Sequence, residues 1–180
     1  MFEWWKVVPD DERQQWTLDP FVSVGPLRFG MSPDEVSAAL SEVTEERQHF
    51  QFMMPVDSKV YRVEKGDYRD FGLCLYYGDL KLKGVLVDGL CGPQVHAEGT
   101  ALVGRVPSVL EQWMIDRAKT RQPDEDLTYM GAGVPGSESL GVVINVQRAG
   151  DRLLSRPVFF PGEALDDLSH FLPREAWAIY

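Results

Sequence analysis

The stretch Gly25-Pro26-Leu27-Arg28-Phe29-Gly30-Met31-Ser32-Pro33-Asp34-Glu35-Val36-Ser37-Ala38-Ala39-Leu40 returns in degenerate form 74 residues later. Gly99, Gly104, Pro107 and Leu110 stand where the first copy has Gly25, Gly30, Pro33 and Val36. The first copy spells a short strand, a glycine turn and a capped helix. Ser32 is an N-cap whose hydroxyl accepts a hydrogen bond from a free amide of the first turn, and Glu35 completes a capping box. Pro33 takes the first helical position, where a missing N–H costs nothing. Asp34 and Glu35 put negative charge at the positive end of the helix dipole. Val36, Ala39, Leu40 and Val43 then fall on one helical face, which predicts a buried stripe. The second copy has Val106 and Val109 in place of Ser32 and Glu35. Its helix continues through Trp113, Met114 and Ala118 but starts without a cap.

The echo extends further. Phe71-Gly72-Leu73-Cys74-Leu75-Tyr76 is answered 69 residues on by Leu140-Gly141-Val142-Val143-Ile144-Asn145. In the first half, Leu73–Tyr77 predicts a strand, Gly78-Asp79 a two-residue turn, and Leu80–Asp88 the return strand, with Gly84 marking a bulge. In the second, Ala149-Gly150-Asp151 is the turn and the return strand runs to Phe160. Residues 50–56 read as a strand edge or a loop ended by Pro55. Val60, Tyr61 and Val63 read as a strand, Lys65-Gly66-Asp67 as a turn, and Gly131–Ser137 as a flexible loop. The expectation is an α+β fold of two related halves, each a strand, a helix and an antiparallel β-meander. The halves pack through their sheets, whose inner faces share a core. The boundaries are an N-terminal arm (1–24), a first repeat (25–90), a joint (91–98), a second repeat (99–162) and a C-terminal tail (163–180). Two units of this length make a tandem duplication, not a solenoid.

Apolar residues make up 44% of the 180, which predicts a globular chain. The net charge is −10 and the pI about 4.7. That balance argues against nucleic acid and against an anionic membrane surface. It leaves open a basic protein partner, or acidity that serves solubility alone. Cys74 and Cys91 are too few for a disulfide framework and read as free thiols. The first residues lack a signal-peptide pattern, and no run of about 18 apolar residues exists. The expected address is the cytoplasm. Trp4 and Trp5 fit either an exposed patch or rings packed over the core, and the burial of most large aromatics favours the second.

No catalytic, metal or cofactor constellation emerges. Gly25-x4-Gly30-Met31-Ser32 differs from a phosphate loop in having Met31 where a lysine must reach the phosphates, and its interior is apolar. Gly131-x-Gly133-x-x-Gly136 opens no helix and contains a proline. His49, His96 and His170 lie far apart and lack metal-ligand spacing. The acidic runs are solvated loops or a surface that recognises lysine and arginine. The candidate contact residues are the aromatics Tyr68, Tyr77 and Tyr129 and the acids Asp124, Glu125 and Asp126. The reading is a non-enzymatic protein-binding module. The alternative is a ligand-binding or enzymatic domain with a pocket between the halves, lidded by Gly131–Ser137.

The run Phe29-Gly30-Met31-Ser32-Pro33-Asp34-Glu35-Val36, followed by a small-residue helix and a β-meander, resembles a Gly-Met-Ser/Thr-x-x-Glu-Val motif of two groups. One comprises the small outer-membrane-assembly lipoproteins and the tandem-repeat β-lactamase inhibitor proteins. The other comprises the small cytoplasmic immunity proteins that accompany bacterial polymorphic toxins. The resemblance implies a binding protein without catalytic residues. The chain has neither a lipobox cysteine nor paired cysteines within each repeat, which places it with the cytoplasmic set. On that resemblance the expected role is immunity or inhibition, the neutralising of a basic toxin or enzyme.

Overall fold

Alternation sets the first strand. In β1 (Gln15–Asp19), Trp16 and Leu18 are buried while Gln15, Thr17 and Asp19 face water, the period of two that a half-buried strand requires. The computed structural model describes residues 3–56, 58–121, 126–130 and 133–162. Strands β2 (Ser23–Val24) and β3 (Leu27–Arg28) fold back along β1. Helix α1 (Pro33–Leu40) leads into four antiparallel strands, β4 (Gln48–Val56), β5 (Lys59–Tyr68), β6 (Leu73–Gly78) and β7 (Lys81–Val87). Then β8 (Gln94–Ala97) and β9 (Thr100–Ala101) precede α2 (Pro107–Lys119). A second run of four follows: β10 (Leu127–Met130), β11 (Val134–Ser137), β12 (Val142–Ala149) and β13 (Arg152–Phe159). The fold is α+β. One sheet has the order β3-β2-β1-β8-β9, the other β10-β11-β12-β13-β7-β6-β5-β4. Among the described residues, no helix is long and apolar enough to cross a membrane.

Positions related by the 74-residue offset share backbone conformation. Gly25, Gly30, Gly99 and Gly104 all have positive φ, a region glycine enters without steric cost. Gly30 N donates to Leu82 O at 2.9 Å and Leu82 N donates to Met31 O at 2.8 Å. Gly104 N donates to Ser155 O at 3.0 Å and Ser155 N donates to Arg105 O at 2.8 Å. Each glycine turn is thus joined to a return strand, β7 or β13, by the same reciprocal pair of bonds.

The halves were expected to meet sheet face against sheet face. Instead β7 and β13 pair antiparallel, Val158 with Leu86 and Phe159 with Val85, and the meanders run on as one sheet. The reason lies in consecutive apolar residues such as Val85-Leu86-Val87 and Val142-Val143-Ile144. A strand apolar on both faces belongs inside a sheet with both faces covered. Leu75, Tyr77, Val85, Val87, Ile144 and Phe159 join Trp16, Leu40, Leu110 and Met114 in the main core. Tyr76, Leu86, Val143, Val158 and Phe160 form a second cluster from the opposite face.

Segments read as arm and joint are structural. Residues 1–24 supply β1 and β2, and residues 91–98 supply β8, which pairs parallel to β1. Arg13 binds this crossing. Its Nη1 donates to Gly92 O at 2.8 Å, and its Nη2 donates to Gly89 O and Leu90 O, both at 2.9 Å. Gln147 of β12 holds the same loop, accepting from Gly89 N and donating to Asp88 Oδ2, each at 2.8 Å.

Other differences are local. Lys65-Gly66-Asp67 continues β5 rather than turning. A Cβ at Gly66 would stand 2.4 Å from Glu46 Oε1, so the Glu46 carboxylate occupies the space that glycine leaves. The β6–β7 turn is Asp79-Leu80, not Gly78-Asp79: Gly78 pairs with Lys81, and Asp79 and Leu80 both have positive φ, as a type I′ turn demands. The expected bulge is present, since the register shifts between Tyr76, opposite Gly84, and Tyr77, opposite Leu82. In α1 only Val36 and Leu40 are buried, so Ala39 and Val43 do not extend the stripe. Within Gly131–Ser137, residues 134–137 form β11. Gly131 and Ala132 lie outside the described residues, as do residues 163–180.

Candidate functional site

The short helix α1 is held by its capping box. Glu35 N donates to Ser32 Oγ at 3.3 Å and Ser32 N donates to Glu35 Oε2 at 2.8 Å. With only two residues buried, most of its surface faces water. That surface and the helix exit carry Asp34, Glu35, Glu42, Glu45 and Glu46, with no Lys or Arg between Arg28 and Arg47. The chain then enters β4. This strand pairs with β5 over its full length, from Gln48 opposite Asp67 to Val56 opposite Lys59. No described strand lies on its other side. β4 contains no Asp, Glu, Lys or Arg, and Phe50 and Met53 are exposed on it.

Glu46 fastens the acidic ridge to the strand. His49 Nδ1 lies 2.9 Å from Glu46 Oε1, and Nε2 lies 2.9 Å from Glu64 Oε2. Arg62 Nη2 is 2.8 Å from the other oxygen of Glu64. Burial pulls the His49 pKa down, but hydrogen bonds to Glu46 and Glu64 and their charges outweigh it, and the net shift is upward. Both ring nitrogens are thus engaged by carboxylates, and the ring donates to each of them when it is protonated. The ring stands 6.1 Å, centroid to centroid, from Tyr77.

Tyr68 and Tyr77, expected as surface anchors, are instead buried, with 1% and 0% exposure. Tyr68 stands opposite Leu73, and Tyr77 opposite Glu64 and Leu82, which puts both rings on the core face. Burial, followed by the charge of Glu46, pushes the Tyr68 hydroxyl up to about 12. Burial also raises Tyr77, so both remain neutral phenols. Asp126 is likewise no surface contact. Arg117 Nη1 donates to its Oδ2 at 2.6 Å, while Ser137 Oγ and Ser139 N donate to Oδ1 at 3.0 and 3.1 Å. Asp124 and Glu125 lie outside the described residues. Tyr129 does stay at the surface, 51% exposed, its hydroxyl donating to Glu111 Oε1 at 3.0 Å. Trp4 departs from the expected packing, at 78% exposure. Trp5 lines a shallow hollow with Ala149 and Arg152 at the β12–β13 turn.

No family model, curated protein or solved structure matches the chain. The candidate site rests on its own geometry.

The other candidates for chemistry are engaged within the fold. The amides of Gly25, Phe29, Gly30 and Met31 donate to the carbonyls of Thr17, Val22, Leu82 and Arg28. The glycine loop therefore offers no row of amides to a phosphate. Burial and the neighbouring Asp88 push the Cys91 thiol up to about 12, the reverse of an activated nucleophile. His96 Nε2 pairs with Gln15 Oε1 at 2.8 Å. Among the described residues, no group of three metal-ligating side chains is placed to hold an ion. A hollow of about 320 Å³ opens on the sheet face away from the helices, lined by Lys65, Arg69 and Arg156 with Asp67, Asp88 and Tyr76.

Proposed function

We propose that the chain is a non-enzymatic protein-binding module of immunity or inhibitor type, which neutralises a basic toxin or enzyme in the bacterial cytoplasm. The observation that carries this reading is the acidic ridge from Asp34 to Glu46, uninterrupted by Lys or Arg and leading into β4, which has no described strand on its outer side. A one-signed ridge attracts an oppositely charged partner over about a Debye length and speeds encounter. The Phe29–Val36 motif, with its resemblance to inhibitor and immunity proteins, supports the same role.

The test is coexpression with the product of the adjacent coding sequence, followed by titration of the two purified proteins. The expected result is a stable complex that suppresses the partner's toxicity and loses affinity as salt rises. A partner that binds with no salt dependence, or no binding to that product, sinks the reading.

A second reading has one observation in its favour. The hollow sets Lys65, Arg69 and Arg156 beside Asp67 and Asp88, with Arg69 paired to Asp67 at 3.0 Å and Arg156 coming from the second half. It fits a small anionic ligand between the halves. A thermal-shift screen of phosphate and dicarboxylates tests it, and a flat response across the screen rejects it.

A further inference from the structure

We propose that β4 is the docking edge of the protein: an extended segment of the basic partner adds to it as a further strand, with lysine or arginine side chains set against the ridge of α1 and its exit. This rests on the protein-binding reading above and adds to it the place and the mode of binding.

Three observations converge. First, β4 is a long edge of nine residues. The opposite end of the same sheet, β10, has four, and the ends of the small sheet, β3 and β9, have two each. Short strands are themselves a protection against unwanted pairing, and among the described edge strands β4 alone lacks it. Second, β4 lacks the other usual protection. Exposed edges are blunted with charged side chains, above all lysine, yet Gln48-His49-Phe50-Gln51-Phe52-Met53-Met54-Pro55-Val56 contains no Asp, Glu, Lys or Arg. Pro55 guards only the far end. Phe50 and Met53 stand exposed on opposite faces of the strand, as side-chain contacts for an incoming strand. Backbone bonds along such an edge supply affinity and alternate side chains supply specificity.

Third, charge chooses the occupant. The ridge is tied to the start of β4 through the Glu46–His49 contact of 2.9 Å, which fixes the Glu46 carboxylate at that end of the strand. A second copy of the chain brings its own net charge of −10, and like charges disfavour that pairing. A basic segment gains on both counts, from backbone groups that no described strand bonds and from the net negative charge.

The experiment uses the whole chain and a synthetic nine-residue peptide of alternating valine and lysine. Two control peptides accompany it: one N-methylated at alternate residues along one edge, and one with glutamate in place of lysine. Anisotropy reads affinity and backbone hydrogen exchange reads location. The valine–lysine peptide is expected to bind and to slow exchange in β4. N-methylation removes strand bonding without altering the protein and is expected to weaken binding about tenfold or more. The glutamate peptide is expected to bind about tenfold more weakly or not at all. The exposed double variant Glu42→Lys/Glu45→Lys is expected to weaken the valine–lysine peptide about fivefold and flatten its salt dependence. Equal binding of the N-methylated peptide, or protection that falls away from β4, overturns the edge while leaving the protein-binding reading intact. No binding of the valine–lysine peptide also overturns the edge, and the coexpression test then judges the broader reading separately.

Discussion

Arg117 and Asp126 form an ion pair of 2.6 Å between Nη1 and Oδ2 whose two side chains are almost closed to water. Glu98 completes the shell, accepting from Nε at 2.9 Å and Nη2 at 2.8 Å. Together they tie α2 to the approach to β10 and to the turn before β9. A buried charge stripped of its partner is costly, whereas a pair lost together is far less so. Arg117→Met is therefore expected to cost about 3–5 kcal/mol, read as a lowered urea midpoint. Arg117→Met combined with Asp126→Asn is expected to recover part of that loss. A single-variant cost under about 1 kcal/mol, the range of exposed pairs, contradicts the account.

His49 makes stability depend on pH in a defined direction. Its folded pKa lies above the model-peptide value of 6.5. The contribution of the charged ring is therefore full below about 6.5 and fades as pH rises through the folded value. The ring is partly exposed, so the effect is held to about 0.5–1 kcal/mol. His49→Gln is expected to lower stability by that amount at pH 5.5 and by almost nothing at pH 9. Denaturant melts at the two pH values check it, and an equal loss at both contradicts it.

Two pairs of glycines separate backbone strain from collision. Gly30 and Gly99 have positive φ and open space where a Cβ would sit. Gly72 and Gly141 also have positive φ, but a Cβ would stand 2.4 Å from Gly92 N and 2.5 Å from Phe160 O. Alanine at Gly30 or Gly99 is expected to cost about 1–2 kcal/mol, the strain of the left-handed region. Alanine at Gly72 or Gly141 adds a backbone clash and is expected to cost several kcal/mol or to prevent folding. Thermal melts rank the four, and a reversed ranking defeats the argument.

The uncapped second helix is open to repair. Val106 has an extended N-cap conformation and makes no capping bond, and Val106 and Val109 are 56% and 62% exposed. Little packing is lost by replacing them. Val106→Ser with Val109→Glu rebuilds the box seen at Ser32 and Glu35 and is expected to stabilise the protein by about 1 kcal/mol. The reverse change, Ser32→Val with Glu35→Val, is expected to destabilise it by a similar amount. If the first pair weakens the protein, the exposed valines are engaged in contacts that the cap argument ignores.

Much of the local structure was legible because it is written in dihedral preference. Pro33 and Pro107 begin the helices as expected, and Ser32 and Glu35 close the box. Gly66 misled because glycine marks two different things: a turn, or a place where another atom must approach. Only the position of Glu46 distinguishes them. The tyrosines misled for a related reason. Aromatic residues suit contact surfaces and cores alike, and the register of β5 and β6 decided for the core. The candidate site was half visible. Residues 50–56 read as a strand edge or a loop, and only the fold brings Glu46 at the end of the acidic ridge against His49.

By itself the sequence determined the recurring glycine turns, the two helices and their unequal caps, and the antiparallel hairpins, since these follow from φ preferences, side-chain periodicity and near neighbours. Tertiary structure alone decided that β7 pairs with β13, that β1 runs parallel to β8, and that β4 is left at the rim. Backbone donors and acceptors are the same in every strand. Which strands meet is therefore settled by the joint burial of faces far apart in the chain. The place of β4 at the end of the described sheet is a property of that whole arrangement, and no residue within the strand encodes it alone.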